Sequence, residues 1–102
     1  MRTLFALTLL ATSTAALGAD HLITQTSKAF SAAAVNAKVG DTLSFRNDDP
    51  FVHNIFSLSD VQSFDLGTFA KGETRQIKLT KPGKLEIECA VHPEMKLVVE
   101  VK

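Results

Sequence analysis

The chain has 102 residues, enough for one small domain with a modest core. Eleven Lys and Arg balance eleven Asp and Glu, and no basic stripe with interleaved aromatics occurs, which argues against a nucleic-acid partner. A single cysteine, Cys89, excludes an intramolecular disulfide, and Trp and Tyr are both absent.

The first element in chain order is a secretory signal. Met1-Arg2-Thr3 is a short basic start, Leu4 to Leu10 is mostly apolar, and Ala11 to Ala19 is rich in small residues. The apolar part is too short and interrupted for a membrane span, so no membrane anchor is expected. A cut after Ala19 places Leu17 and Ala19 where the peptidase reads, whereas a cut after Gly18 uses Ala16 and Gly18. The first is favoured, assigning 1–19 to the signal and 20–102 to the domain, or 102 − 19 = 83 residues. In an exported protein an odd cysteine is free, paired with another chain, or bound to metal. Metal would also staple a domain this small.

The remaining elements read as strands. Ala32-Ala33-Ala34 tolerates a helix, but Phe30 and Val35 beside it suit a strand or irregular segment better. After a Gly40-Asp41 turn, Leu43 and Phe45 alternate with Thr42, Ser44 and Arg46. Asp48-Asp49-Pro50 precedes a strand in which His53 and Ile55 face one way and Asn54 and Phe56 the other. Ile77 and Leu79 alternate with Gln76, Lys78 and Thr80, and Lys81-Pro82-Gly83 forms a strong turn signal. Leu85, Ile87 and Cys89 then share a face, and Leu97, Val99 and Val101 point inward. Short strands between turns predict an all-β sandwich or barrel.

The chemistry sits at the strand ends. Cys89-Ala-Val-His92-Pro-Glu-Met95 puts a thiol, an imidazole and a thioether at three-residue steps in one loop between two strands, and His53 can meet them from a distant strand. Taken singly, each residue has a plainer role: Cys89 as a buried hydrophobe, His92 on a loop, His53 partly buried, Met95 in the core. Taken together, they include every His, Met and Cys of the domain except His21. Structural zinc closes without thioether, whereas one Cys, two His and a weak axial Met suit a single copper ion cycling between Cu(I) and Cu(II). A Cys–His nucleophile lacks an orienting third group here, so no enzyme is expected. Glu88 and Glu94 read as solvated. A cut after Gly18 would leave Ala19-Asp20-His21 at the amino terminus, where a third-position histidine can wrap Cu(II) or Ni(II); an ordinary strand histidine is the plainer reading.

Residues 41–54 and the ending Pro82-Gly83 to Met95 resemble the cupredoxin (type 1 blue-copper) family, at its amicyanin/plastocyanin-like end because of the short Cys-x-x-His-x-x-Met spacing. The likeness spans Phe30 to Lys102 and implies a Greek-key β-sandwich with His53, Cys89 and His92 as equatorial copper ligands and Met95 axial. It implies that Asn54 links the two ligand-bearing segments, that His92 is the electron's exit, and that Phe51, Val91 and Pro93 form an apolar docking patch around it. Leu85 and Ile87 stand where the family commonly has an aromatic, and Ala90 lacks the hydroxyl some members carry. The implied function is a periplasmic, monomeric one-electron carrier meeting c-type cytochromes or a periplasmic dehydrogenase transiently. The alternative is a copper chaperone or buffer delivering the ion itself.

Overall fold

The computed structural model describes residues 18–102. The segment read as an export signal lies, up to residue 17, outside the described residues. Nine strands follow among them: β1 (Asp20–Thr26), β2 (Ala29–Phe30), β3 (Ala34–Ala37), β4 (Thr42–Asn47), β5 (His53–Ser57), β6 (Phe64–Phe69), β7 (Thr74–Lys78), β8 (Gly83–Glu88) and β9 (Lys96–Val101). None of the described residues is helical, and the alanine run is irregular until β3 begins at Ala34.

The period-two pattern becomes burial. Leu43 and Phe45 of β4, Leu85 and Ile87 of β8, and Leu97, Val99 and Val101 of β9 all face the core with Ile23, Ile55, Phe69 and Leu79. Each such side chain contributes about 1.5–3 kcal/mol on leaving water. Ser44 is buried on the other face of β4, where its hydroxyl donates to Asp20 and accepts from the Gln76 amide. Gly83 turns the chain into β8 at φ 136°, and a Cβ there would collide with Val61.

The strands form two sheets, ordered β2-β1-β4-β7 and β3-β9-β8-β5-β6. Two pairings are parallel: β1 with β4, from Asp20↔Thr42 to Gln25↔Asn47, and β3 with β9, from Ala34↔Val98 to Ala37↔Val101. Alternation cannot report strand direction, so these crossovers appear only in three dimensions. The registers give the sandwich two distinct ends. One carries the end of β4 and β8 and the start of β5 and β9; the other carries the start of β1 and β4 and the end of β9.

At the first end the sheet opens. The pairing of β5 with β8 runs only over Phe56↔Glu88 and Ser57↔Ile87, and β5 shifts register against β6 between Asn54 and Phe56. Such an irregularity bends a strand and re-aims its side chains. His53 and Cys89 therefore face each other across a gap that no backbone ladder fills.

Candidate metal centre

The structure brings His53, Cys89 and His92 into one cluster, with one ligand atom from each within 4.8 Å of the others. Cys89 Sγ lies 3.6 Å from His53 Nδ1, and His92 Nδ1 lies 3.2 Å from the same nitrogen. His53 and Cys89 are buried and His92 is half-buried. Met95 is buried where the loop enters β9, its N–H donating to the His92 carbonyl at 2.9 Å. That bond closes the tight turn through Pro93 and Glu94 and keeps Met95 close to the histidine along the chain.

Asn54 replaces the missing ladder between β5 and the loop. Its side-chain Oδ1 accepts the Ala90 N–H at 2.7 Å, and its own N–H points at Cys89 Sγ at 3.5 Å. The backbone amide of Ala90 thus makes the link for which a hydroxyl at that position is unnecessary.

His53 is fixed from behind by Asp49. The buried Asp49 carboxylate accepts His53 Nε2–H at 2.7 Å, and it accepts Ser27 N–H at 2.7 Å and Lys28 N–H at 3.1 Å. Burial pushes the Asp49 carboxyl up, but the hydrogen bonds from His53, Lys28 and Ser27 outweigh it, so the group stays below its ordinary value. An ionised carboxylate can only accept, so the ring proton sits on Nε2 and the Nδ1 lone pair faces Cys89 and His92. Carboxylates that hold a metal-ligating histidine in this way fix its tautomer and the orientation of its ring. Asn47 holds Asp49 in turn: its Oδ1 accepts the Asp49 N–H, and its Nδ2 donates to the Phe51 and Phe69 carbonyls.

Ser27 and Lys28, with φ of 54° and 58°, form the two-residue β1–β2 hairpin turn, a conformation that favours glycine. Their two amides converge on one carboxylate, which offsets the strain. Asp49 therefore serves the hairpin and the histidine together. Nothing in Asp48-Asp49-Pro50 distinguishes the two acids by sequence, and the structure separates them: Asp48 pairs with Arg46 near the surface while Asp49 turns inward.

Phe51 packs against both imidazoles, 5.3 Å from His53 and 5.2 Å from His92 between ring centres. Lys28 Nζ sits 5.8 Å above the Phe51 ring. Phe51, Val91 and Pro93 are exposed around the half-buried His92. Glu94 is exposed, and Glu88 is partly covered with Lys96 3.9 Å away.

The donor set fits one ion. Metal–nitrogen bonds of about 2.0–2.1 Å and metal–sulfur bonds of about 2.3 Å place neighbouring donors roughly 3.2–3.7 Å apart around a shared centre. Two separations in the cluster already match, 3.6 Å from Cys89 Sγ and 3.2 Å from His92 Nδ1 to His53 Nδ1, and the donor atoms of all three residues lie within 4.8 Å of one another. Two nitrogen atoms and one sulfur with a buried thioether alongside is a copper-type set. His21 stands apart at the other end of the sandwich, its Nε2 2.8 Å from Asp41 Oδ2.

The sequence matches the model of a family described as copper binding proteins, plastocyanin/azurin family, over residues 19–102. No curated protein matches it. Among solved structures, a copper-containing nitrite reductase from Thermus scotoductus is similar at 27% identity and a TM-score of 0.73, over 81% of this chain and 22% of that one. The chain thus spans about a fifth of that reductase. An oxidized amicyanin carrying a proline-to-glycine substitution shares the fold at 22% identity and a TM-score of 0.75, over 88% of each chain. So does a purple cupredoxin from Nitrosopumilus maritimus, at 22% identity and a TM-score of 0.72, over 81% of this chain and all of that one.

Proposed function

The chain belongs to the plastocyanin/azurin family of copper-binding proteins, and from that premise we propose that it is an exported, periplasmic one-electron carrier. Its one copper ion would be held by His53, Cys89, His92 and Met95. The observation that carries this reading is the convergence of Cys89 and His92 on His53 Nδ1, at 3.6 and 3.2 Å, with one donor atom of each residue within 4.8 Å of the others. Bound copper supplies the Cu(I)/Cu(II) couple.

The chain's own residues account for the rest. Asp49 and Asn54 hold His53 and the Cys89 loop in place beforehand, so little rearrangement accompanies a change of charge at the site. Burial of His53, Cys89 and Met95 keeps water away from three of the four donors. His92 is the one donor residue that reaches the surface, so it is the exit for the electron. Phe51, Val91 and Pro93 around it form a small apolar face, which suits a brief encounter with a redox protein such as a c-type cytochrome or a periplasmic dehydrogenase. We read the protein as a monomer with no turnover of its own.

Adding Cu(II) to the purified apoprotein tests this. One ion per chain, an intense visible thiolate charge-transfer band, a reversible voltammetric wave and fast self-exchange are expected. Absence of the band sinks the site. A band with ready loss of copper to a chelator and no reversible wave replaces the electron carrier with a protein that delivers the ion.

A further inference from the structure

At the end of the sandwich remote from the ligand cluster, Ala19, His21 and Asp41 come together, and electron transfer uses none of them. The buried Asp41 carboxylate accepts Ala19 N–H at 2.9 Å, Lys38 N–H at 2.9 Å and the His21 ring at 2.8 Å. The Ala19 carbonyl accepts Thr42 N–H at 2.9 Å, so both backbone groups of residue 19 are fastened and it extends the seam of β1 with β4. Gly18 is placed differently. A Cβ there would run into the Gly40 carbonyl, so Gly18 is pressed against the Gly40 backbone. A cavity of about 370 Å³ opens beside these groups, lined also by Asn36, Lys38 and Lys102.

We infer that export processing cuts this chain between Gly18 and Ala19, and that the amine so released is an ammonium gripped by Asp41. Water adds across the 18–19 peptide bond, leaving a carboxylate on Gly18 and an amine on Ala19 that takes up a proton at neutral pH. A peptidase reading small residues finds Gly18 and Ala16 before this bond. The cut one residue later would place Leu17 in the outer position and would remove the residue that Asp41 and Thr42 hold. The cut after Gly18 instead removes the crowded glycine and keeps both bonds. It also improves the first of them, because an amide brings Asp41 one proton and an ammonium brings several together with a charge.

The charged and titratable groups facing the amine are Asp41 from the turn before β4, His21 from β1, and Lys38 and Lys102 across the cavity. The lysines oppose an ammonium and Asp41 favours it. Asp41 is at hydrogen-bond distance, so it decides the sign. The amine is then held above its ordinary value near about 8, and it adds stability that is present below that value and lost as pH rises through the folded one. The same grip engages Ala19 N and the His21 ring, which an amino-terminal Cu(II) site would need.

The inference rests on the export reading and is independent of copper. The test is the intact mass of the full chain's product, expressed in a bacterium and recovered from the periplasm. Loss of residues 1–18, leaving 102 − 18 = 84, is expected. A product beginning at Asp20 or elsewhere overturns the assignment while leaving export intact; an uncut chain held in the cytoplasm overturns both. Chains beginning at Ala19 and at Gly18 are then unfolded from pH 6 to 10. The Ala19 chain should lose about ten-fold in its folding constant relative to the Gly18 chain, across the alkaline range, for each unit by which the amine is raised. Coincident curves overturn the ammonium's role. Asp41→Asn should abolish the alkaline limb, and if that variant fails to fold, the two-chain comparison decides alone.

Discussion

The two ends of the sandwich carry the same small device. At each, a buried aspartate accepts two backbone amides and a histidine Nε2: Asp49 with Ser27, Lys28 and His53, and Asp41 with Ala19, Lys38 and His21. The carboxylate–histidine distances are 2.7 and 2.8 Å, so the pairs themselves do not distinguish the ends. What differs is the other ring nitrogen. His53 Nδ1 faces a sulfur and a second imidazole across a gap between strands, and the ring is fully buried; His21 belongs to no such cluster among the described residues, and its ring is partly exposed. A carboxylate-bound histidine is thus a way of fastening a strand, and it becomes metal chemistry only where further donors converge on the free nitrogen.

Four measurements can break or sharpen that comparison. The largest effect is expected from Cys89→Ser, which removes the one sulfur donor that the cluster of His53, Cys89 and His92 contains. The visible band should vanish, along with the roughly 4 kcal/mol that copper at a thousand times its dissociation constant adds to folding. Retained colour in Cys89→Ser would place the copper elsewhere. Asp49→Ala should come next, because it strands Ser27 N–H, Lys28 N–H and the His53 ring together. Calorimetry should find the apoprotein about 3 kcal/mol less stable, and copper affinity should fall about 10–100-fold. A normal affinity would show that His53 needs no carboxylate behind it.

Asn54→Ala removes the tie between β5 and the ligand loop, for which a loss of about 1–2 kcal/mol and faster copper release are expected, checked by denaturant titration and stopped-flow chelation. The smallest effect belongs to the far end. The His21 hydrogen bond, and then the Lys38 amide, hold the Asp41 carboxyl below its ordinary value of 3.8. A depressed folded value means that Asp41 stabilises the fold above that ordinary value and loses its effect as pH falls through the folded one. Asp41→Asn should therefore flatten the acid limb of the unfolding curve while the visible band is unchanged. A loss of colour there would mean that the two ends are coupled.

Much of the metal end was legible in the sequence because alternation and ligand type are both local properties. Leu85, Ile87 and Cys89 fall on one face of β8 and its extension, Leu97, Val99 and Val101 on one face of β9, and His53 with Ile55 on the inner face of β5, as their spacing implies. The parallel partners of β1 and β3 were illegible, since hydrophobic period says nothing of direction. Asp49 was hidden for another reason: its role depends on a turn at Ser27–Lys28 more than twenty residues upstream, and no local pattern connects the two. Asp41 read as half of a turn, and only the pairing of β1 with β4 brings Ala19 and His21 to it.

The parallel pairing of β3 with β9 has a consequence for the order of events after synthesis. Ala34 meets Val98, so a strand made early waits for one made much later, and such distant closures slow folding. Cys89, His92 and Met95 lie in the loop that joins β8 to β9, so pairing of β9 with β8 and β3 fixes the far end of that loop. The spacing that sets these donors against His53 is therefore completed only when the last strand pairs.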